Sequence, residues 1–328
     1  MAEWEKMLEG ARKMVKVLTE VKAGEEVLII TDPAISLRIS QVVAEAVLEQ
    51  NALPLILVKP VAKVSAEEPG EVIATAMKKA AVIFGFLKFS LMHTQARRDA
   101  CQAGARMLSC TGIVEETLLR GPIEADFERI YPVVQHLAQR LNEGKQVRVT
   151  APGGTVFTTS IEGRSGNEDI WSRSPGMASG GPSVEVNVGP LEGATQGQLV
   201  VDGSAMGIGL IKEPIVITLR NGTATNIEGG AEAAKLREML AAAGHPNSYN
   251  VGELGIGLNP MGRLTGNIME DESTYGTCHV ALGNNLSYGG TNKAPSHLDL
   301  IIRQPTIEVD GQVILREGKQ MVLADLEM

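Results

Sequence analysis

Residues 271–299, reading DESTYGTCHVALGNNLSYGGTNKAPSHLD, concentrate side chains that bind hard or borderline metal ions. They hold carboxylates at Asp271, Glu272 and Asp299, imidazoles at His279 and His297, and phenols at Tyr275 and Tyr288. The whole chain has five histidines, so two in one stretch is a concentration. His297 and Asp299 stand at i, i+2 at the head of a branched apolar run, HLDLIIRQ. On a strand that spacing sends both side chains out of one face of the pleat, as a two-pronged claw. Two more carboxylates lie in apolar, glycine-rich runs: Glu185 in GGPSVEVNVGP and Glu253 in YNVGELGIGLNP. An ionised carboxylate there is costly without a cation or donor, so each either faces solvent from an edge strand or points to metal. An oxygen- and nitrogen-rich set without thiolate suits Zn, Mn, Co or Fe(II).

The elements that must position these groups change character along the chain. Up to residue 143 the pattern alternates strand and helix, with apolar strands predicted over 26–31, 53–58, 80–86 and 105–110. Helices are predicted over 3–21, 36–50, 71–79 and 123–142. Continuous apolar strands between helices imply an α/β domain with a parallel sheet covered on both faces. From residue 144 the texture becomes short strands between Gly, Pro and Asn turns, with one strong helix over 231–243. That predicts a second domain, 144–328, of α+β class with a curved, barrel-like sheet that carries the metal site. His93, in SLMHTQARRDA after the third strand, occupies a position where open α/β sheets place ligand-contacting loops; a capped helix start is the plainer reading. The first strand is followed by TDPAIS rather than by a glycine-rich phosphate loop, which argues against nucleotide binding.

Composition narrows the class. A chain of 328 residues suits two domains, and a net charge of −9 argues against a general nucleic-acid binder. No signal-peptide pattern and no run of 18 apolar residues is visible, so no membrane is expected and a cytoplasmic location is. Cys101, Cys110 and Cys278 lack CxxC spacing, which fits reduced thiols. Cys278 adjoins His279, but neighbours on a strand point to opposite faces, so it is read as core. A small peptide or other small molecule is the expected substrate, and a homodimer the expected assembly.

The order of motifs PSVEV, GEL, DESTYGTCHVALG and SHLD resembles the thermophilic metallo-aminopeptidases exemplified by aminopeptidase T and aminopeptidase S. The resemblance covers most of the second domain. It implies a dinuclear centre of two Zn, Co or Mn ions on Glu185, Glu253, His279, His297 and Asp299, with Glu253 or Asp299 bridging. Two such ions polarise a carbonyl and activate water, and a carboxylate such as Glu185 takes the proton. In that family a catalytic tyrosine follows the first ligand histidine by seven residues; here that position is Leu286, and Tyr288 is the candidate to replace it.

GTCHVALGNN with the closing H-x-D also resembles a sister branch containing 2,5-dihydroxypyridine 5,6-dioxygenases. This implies one Fe(II) on a two-His-one-carboxylate site, assisted by a histidine of the first domain whose counterpart is His93. Those enzymes carry an imidazole where this chain has Glu253. Because Glu185 and Glu253 are both retained, the preferred expectation is a metallo-aminopeptidase-like hydrolase, with a ring-cleaving dioxygenase as the alternative.

Overall fold

The computed structural model describes residues 2–65 and 67–323, which form two compact units. The first runs to Phe127 and also takes in Ile170–Ser183; the second comprises Glu128–Asp169 and the described residues from Val184 onward.

The first unit is built on a five-stranded sheet in the order Leu53–Val58, Glu26–Thr31, Val82–Phe86, Arg106–Ser109, Ala178–Gly180. Every pairing is parallel. Central strands of a sheet covered on both faces need unbroken apolar runs, and EVLIIT and VIFGF supply them. Leu28, Ile30, Ile83 and Met107 pack with Met77, Leu87 and Leu91 in the core on one face. The helices Leu37–Leu48, Glu71–Lys79 and Gln95–Gln102 make the crossovers, and the first helix, Ala2–Lys13, continues as a π-helical turn, Met14–Leu18. The fifth strand returns from the excursion 170–183, where Ser172 Oγ donates to Met107 O at 2.7 Å and lies 2.8 Å from Ser179 Oγ.

The helix predicted over 123–142 is Phe127–Glu143, preceded by a 3-10 turn at Pro122–Glu124. Its stripe Val133, Val134, Leu137 and Leu141 is buried. Gly166 lies against it so tightly that a Cβ there would sit 2.6 Å from Ala138 O and 2.9 Å from Leu141 Cβ. The helix therefore groups with the second unit, and the chain divides at its start rather than at residue 143, where the turn-rich texture begins.

The second unit contains two large antiparallel sheets. One has eight strands, ordered Thr223–Glu228, Ile215–Arg220, Gln196–Val201, Val156–Ser160, Gln146–Thr150, Thr306–Val309, Gln312–Arg316, Lys319–Gln320. The other has seven, ordered Gly209–Leu210, Ser204–Ala205, His297–Arg303, Thr277–Gly283, Val251–Gly257, Glu185–Val188, Asn167–Asp169. The helix Ala231–Ala242 is the one sequence periodicity predicts. Among the described residues no helix is long and apolar enough to cross a membrane.

Candidate functional site

Four adjacent strands of the seven-stranded sheet carry all five predicted metal ligands. Register decides which of their side chains share a face. His297 pairs with Gly283, Asp299 with Ala281, and Ala281 in turn with Glu253. His279 pairs with Gly255, Gly255 with Asn187, and Gly257 with Glu185. Opposed residues of an antiparallel pair leave the same face, so the five donors converge there. The alternate positions, Leu298, Leu300, Ile302, Val280, Leu282, Leu254 and Ile256, are buried apolar residues of the other face. Cys278 belongs to that apolar set, and burial pushes its thiol pKa up.

Small residues stand opposite the donors and make room for them. Gly255 lies under the His279 ring, so a Cβ at 255 would be 2.0 Å from His279 Cε1. Donor atoms of Glu185, Glu253 and His279 lie within 4.8 Å of one another, as do those of Glu253, His297 and Asp299. Glu253 belongs to both triads. His279 Nε2 is 3.6 Å from Glu253 Oε1 and 3.9 Å from Glu185 Oε2. His297 Nε2 is 2.9 Å from Glu253 Oε2 and 3.3 Å from Asp299 Oδ1.

Residues around the donors orient them. His297 Nδ1 is 2.7 Å from Asn284 O, and since a carbonyl only accepts, Nδ1 carries a proton and Nε2 is the atom turned to the carboxylates. Asn187 Nδ2 donates to Glu185 Oε1 at 2.9 Å, and Asn167 Nδ2 donates to Asn187 Oδ1 at 3.0 Å. Glu185 Oε2 and His279 Nδ1 remain buried without a hydrogen-bond partner. The orphaned carboxylate oxygen of Glu185 is costly, and a cation among the donors it faces with His279 and Glu253 removes part of that cost.

Charges in the metal-free cluster are strongly coupled. Burial raises the pKa of Glu253, but His279 and His297 outweigh it and hold the carboxylate well below its ordinary range. Burial lowers the two imidazoles, but Glu185 and Glu253 push His279 up to about 10, and Asp299 and Glu253 push His297 well above its usual value. Burial dominates at Glu185 and raises it.

Tyr288 closes the short 3-10 turn Leu286–Tyr288, and its ring stacks on His297 with centroids 5.6 Å apart at 24°. An extended segment would have put Leu286 on the same face; in the tight turn Leu286 instead faces solvent. Burial and the carboxylates Glu253, Asp299 and Glu185 raise the Tyr288 phenol. Glu272 follows the short helix Ile268–Asp271; its carboxyl pKa is raised by burial and by Glu185 and Asp299, though it joins neither triad. Asp271 and Tyr275 are structural: Asp271 accepts from Thr265 N at 2.7 Å and Gly266 N at 2.9 Å, and Tyr275 Oη accepts from Gln320 N. His93 lies in the first unit, half-buried, next to Thr94, which caps the helix Gln95–Gln102 by accepting from Arg97 N at 3.1 Å.

A family model described as 2,5-dihydroxypyridine 5,6-dioxygenase matches residues 7–322. The chain is 25% identical over 241 residues to the 2,5-dihydroxypyridine 5,6-dioxygenase of Pseudomonas putida strain KT2440, a match covering 70% of this chain and 68% of that protein. A solved structure of the 2,5-dihydroxypyridine dioxygenase from Pseudomonas putida KT2440 is similar at a TM-score of 0.85 and 20% identity, covering 99% of each chain. AmpT of Thermus thermophilus is similar at a TM-score of 0.68 and 16% identity, covering 97% of this chain and 99% of that one. Both structural likenesses are likenesses of fold.

The family match overturns the expectation of a metallo-aminopeptidase-like hydrolase: the matching family is one of dioxygenases, and the link to AmpT rests on fold alone. Retention of Glu185 and Glu253 tipped the sequence reading toward hydrolysis. Those carboxylates report donor positions on one face of the sheet, not the reaction carried out there.

Proposed function

The chain belongs to the family of 2,5-dihydroxypyridine 5,6-dioxygenases, and from that premise we propose that it is a metal-dependent, ring-cleaving dioxygenase. Its substrate is a hydroxylated pyridine of the 2,5-dihydroxypyridine kind or a similar hydroxylated aromatic. The observation that carries this reading is the family match itself, which takes in every strand of the donor cluster.

The donors fit a divalent ion. Three carboxylates and two imidazoles on one face make a hard, oxygen-rich set. One Fe(II) held by Glu253, His297 and Asp299 is the arrangement proposed, in place of two Zn, Co or Mn ions. This set departs from a two-His-one-carboxylate triad because Glu253 supplies a carboxylate where the dioxygenase resemblance implies an imidazole. Bound iron would supply a site for the ring hydroxyl and for dioxygen.

The chain's own groups do the rest. Asn284 O fixes the His297 tautomer, so that Nε2 presents its lone pair. Glu253 and Asp299 set the charge of the centre. Glu185 Oε2, which has no partner, accepts the proton of the substrate hydroxyl; burial raises its basicity for that task. The flat face of Tyr288 gives an aromatic substrate a surface to lie against beside His297. His93 is assigned an acid–base role from the dioxygenase resemblance.

Oxygen uptake by the Fe(II)-loaded protein with 2,5-dihydroxypyridine, beside an anaerobic control, tests the reading. One O2 per ring opened is expected. Absence of uptake and of ring loss with this substrate and with a panel of dihydroxy-aromatics would overturn it.

A further inference from the structure

The loop 284–296 carries Tyr288 between two metal-ligand strands, and a second loop, 189–193, holds it in place. Gly189 follows the Glu185 strand directly, and a Cβ there would lie 2.7 Å from Tyr288 O and 3.0 Å from Tyr288 Cβ. Only a glycine permits the two loops to approach this closely. Three residues later, Glu192 Oε1 accepts from Asn285 Nδ2 at 2.9 Å and from Thr291 N at 2.6 Å, gripping the Tyr288 turn on both sides. Arg164, with a side chain 9% exposed, pairs with Glu192 Oε2 and donates its other terminal nitrogen to Gly289 O, the residue after Tyr288. Within the turn, Tyr288 N donates to Asn285 O at 3.0 Å and Asn292 N to Asn285 Oδ1 at 2.7 Å. Burial alone would raise the Glu192 carboxyl, but Thr291 N, Asn285 and Arg164 bring it down to about 2, so it grips as a carboxylate.

We infer that Glu192, paired with Arg164 and admitted by Gly189, is a positioning residue that holds the Tyr288 ring against His297. Its side chain engages Asn285, Thr291 and Arg164 rather than the five donors, so it acts through the tyrosine. Charge-assisted hydrogen bonds to backbone and amide groups are short and directional, which suits them to fixing a ring rather than merely tethering a loop. The consequence for turnover rests on the dioxygenase reading; the placement of the ring does not.

The test is therefore read first in the metal-free protein. A ring stacked on an imidazole shifts its carbon-bound protons by ring current, so the His297 resonances, assigned by their loss in His297→Asn, report the position of Tyr288. Tyr288→Leu sets the full displacement. Glu192→Gln is expected to move the His297 resonances part of the way in the same direction, and in the Tyr288→Leu background to add nothing. In the loaded enzyme Glu192→Gln should lower kcat/KM by about 10-fold, less than the loss a full 1 Å misplacement brings. Gly189→Ala, which pushes on Tyr288 from the same side, is the second variant should Glu192→Gln fail to fold. His297 resonances unmoved by both variants, or displacements that add to that of Tyr288→Leu, would overturn the assignment. Failure of the dioxygenase reading would show instead as an inactive wild type with the resonance shifts intact.

Discussion

Glu253 Oε2 lies 2.9 Å from His297 Nε2 although an entire strand, Thr277–Gly283, runs between the two that carry them. The contact passes over Ala281, which pairs with Asp299 on one side and Glu253 on the other. A larger side chain there would project into the gap between the carboxylates and the imidazole. Ala281→Val is expected to weaken Fe(II) binding by about 10- to 100-fold, the range seen when groups supporting metal ligands are changed, with the fold retained. Metal titration with circular dichroism checks it; wild-type affinity would show that the donors do not need this gap.

The claw itself gives a sharper outcome. His297 offers Nε2 to the centre and faces it rather than the packed core, so His297→Ala should lose metal and oxygen uptake together while the protein stays folded. Full metal content in this variant would count against the assignment.

Glu253 separates charge from geometry. If the centre tolerates either an imidazole or a carboxylate at this position, Glu253→His should keep one Fe(II) and measurable ring cleavage, whereas Glu253→Ala should lose both. Iron content per chain and oxygen uptake decide it; an inactive, iron-free Glu253→His protein would mean that the carboxylate is indispensable.

His93 gives a catalytic test that leaves the donors alone. As an acid or base, its replacement in His93→Asn should lower kcat by roughly 10²-fold or more with iron content unchanged. Wild-type turnover would leave His93 with only its place beside the Thr94 helix cap.

Legibility in the sequence followed chemistry and periodicity. The strands Glu26–Thr31 and Leu53–Val58 and the helix Glu71–Lys79 have the bounds that their apolar patterns predict. The strand Ala178–Gly180 was not readable, because ASG carries no apolar signal and its place is set by pairing with Arg106–Ser109. Glu185, Glu253, His279, His297 and Asp299 stood out because carboxylates and imidazoles in apolar runs demand compensation. Gly255 and Ala281 did not, since a small residue is informative only once register places it opposite a donor. Glu192 and Arg164 carry no signal in the sequence, because their pairing exists only once the loops they join are in place. The reaction stayed ambiguous because the ordered donor motifs resemble two branches with different chemistry.

Metal affinity should depend steeply on pH, and the sign follows from the metal-free charges. His279 is raised to about 10 and His297 well above its usual value, because the neighbouring carboxylates outweigh burial at each. At neutral pH both imidazoles therefore carry their second proton before metal arrives. An ion that takes an imidazole lone pair must displace that proton, so affinity should rise by about tenfold per pH unit for each proton released. Direct titration between pH 6 and 8 in buffers of different ionisation enthalpy measures both the slope and the proton count. The same shifts act on the metal-free fold: a raised histidine contributes stability that is complete below its ordinary value of 6.5 and is lost as pH rises through the folded value, about 10 for His279. Thermal unfolding with and without chelator should thus diverge as pH increases from 7 to 10, the metal-free protein losing stability and the loaded protein holding it. A flat affinity between pH 6 and 8, with no proton released on binding, would mean that no charged imidazole gives up a proton to the ion, against this account of the metal-free charges.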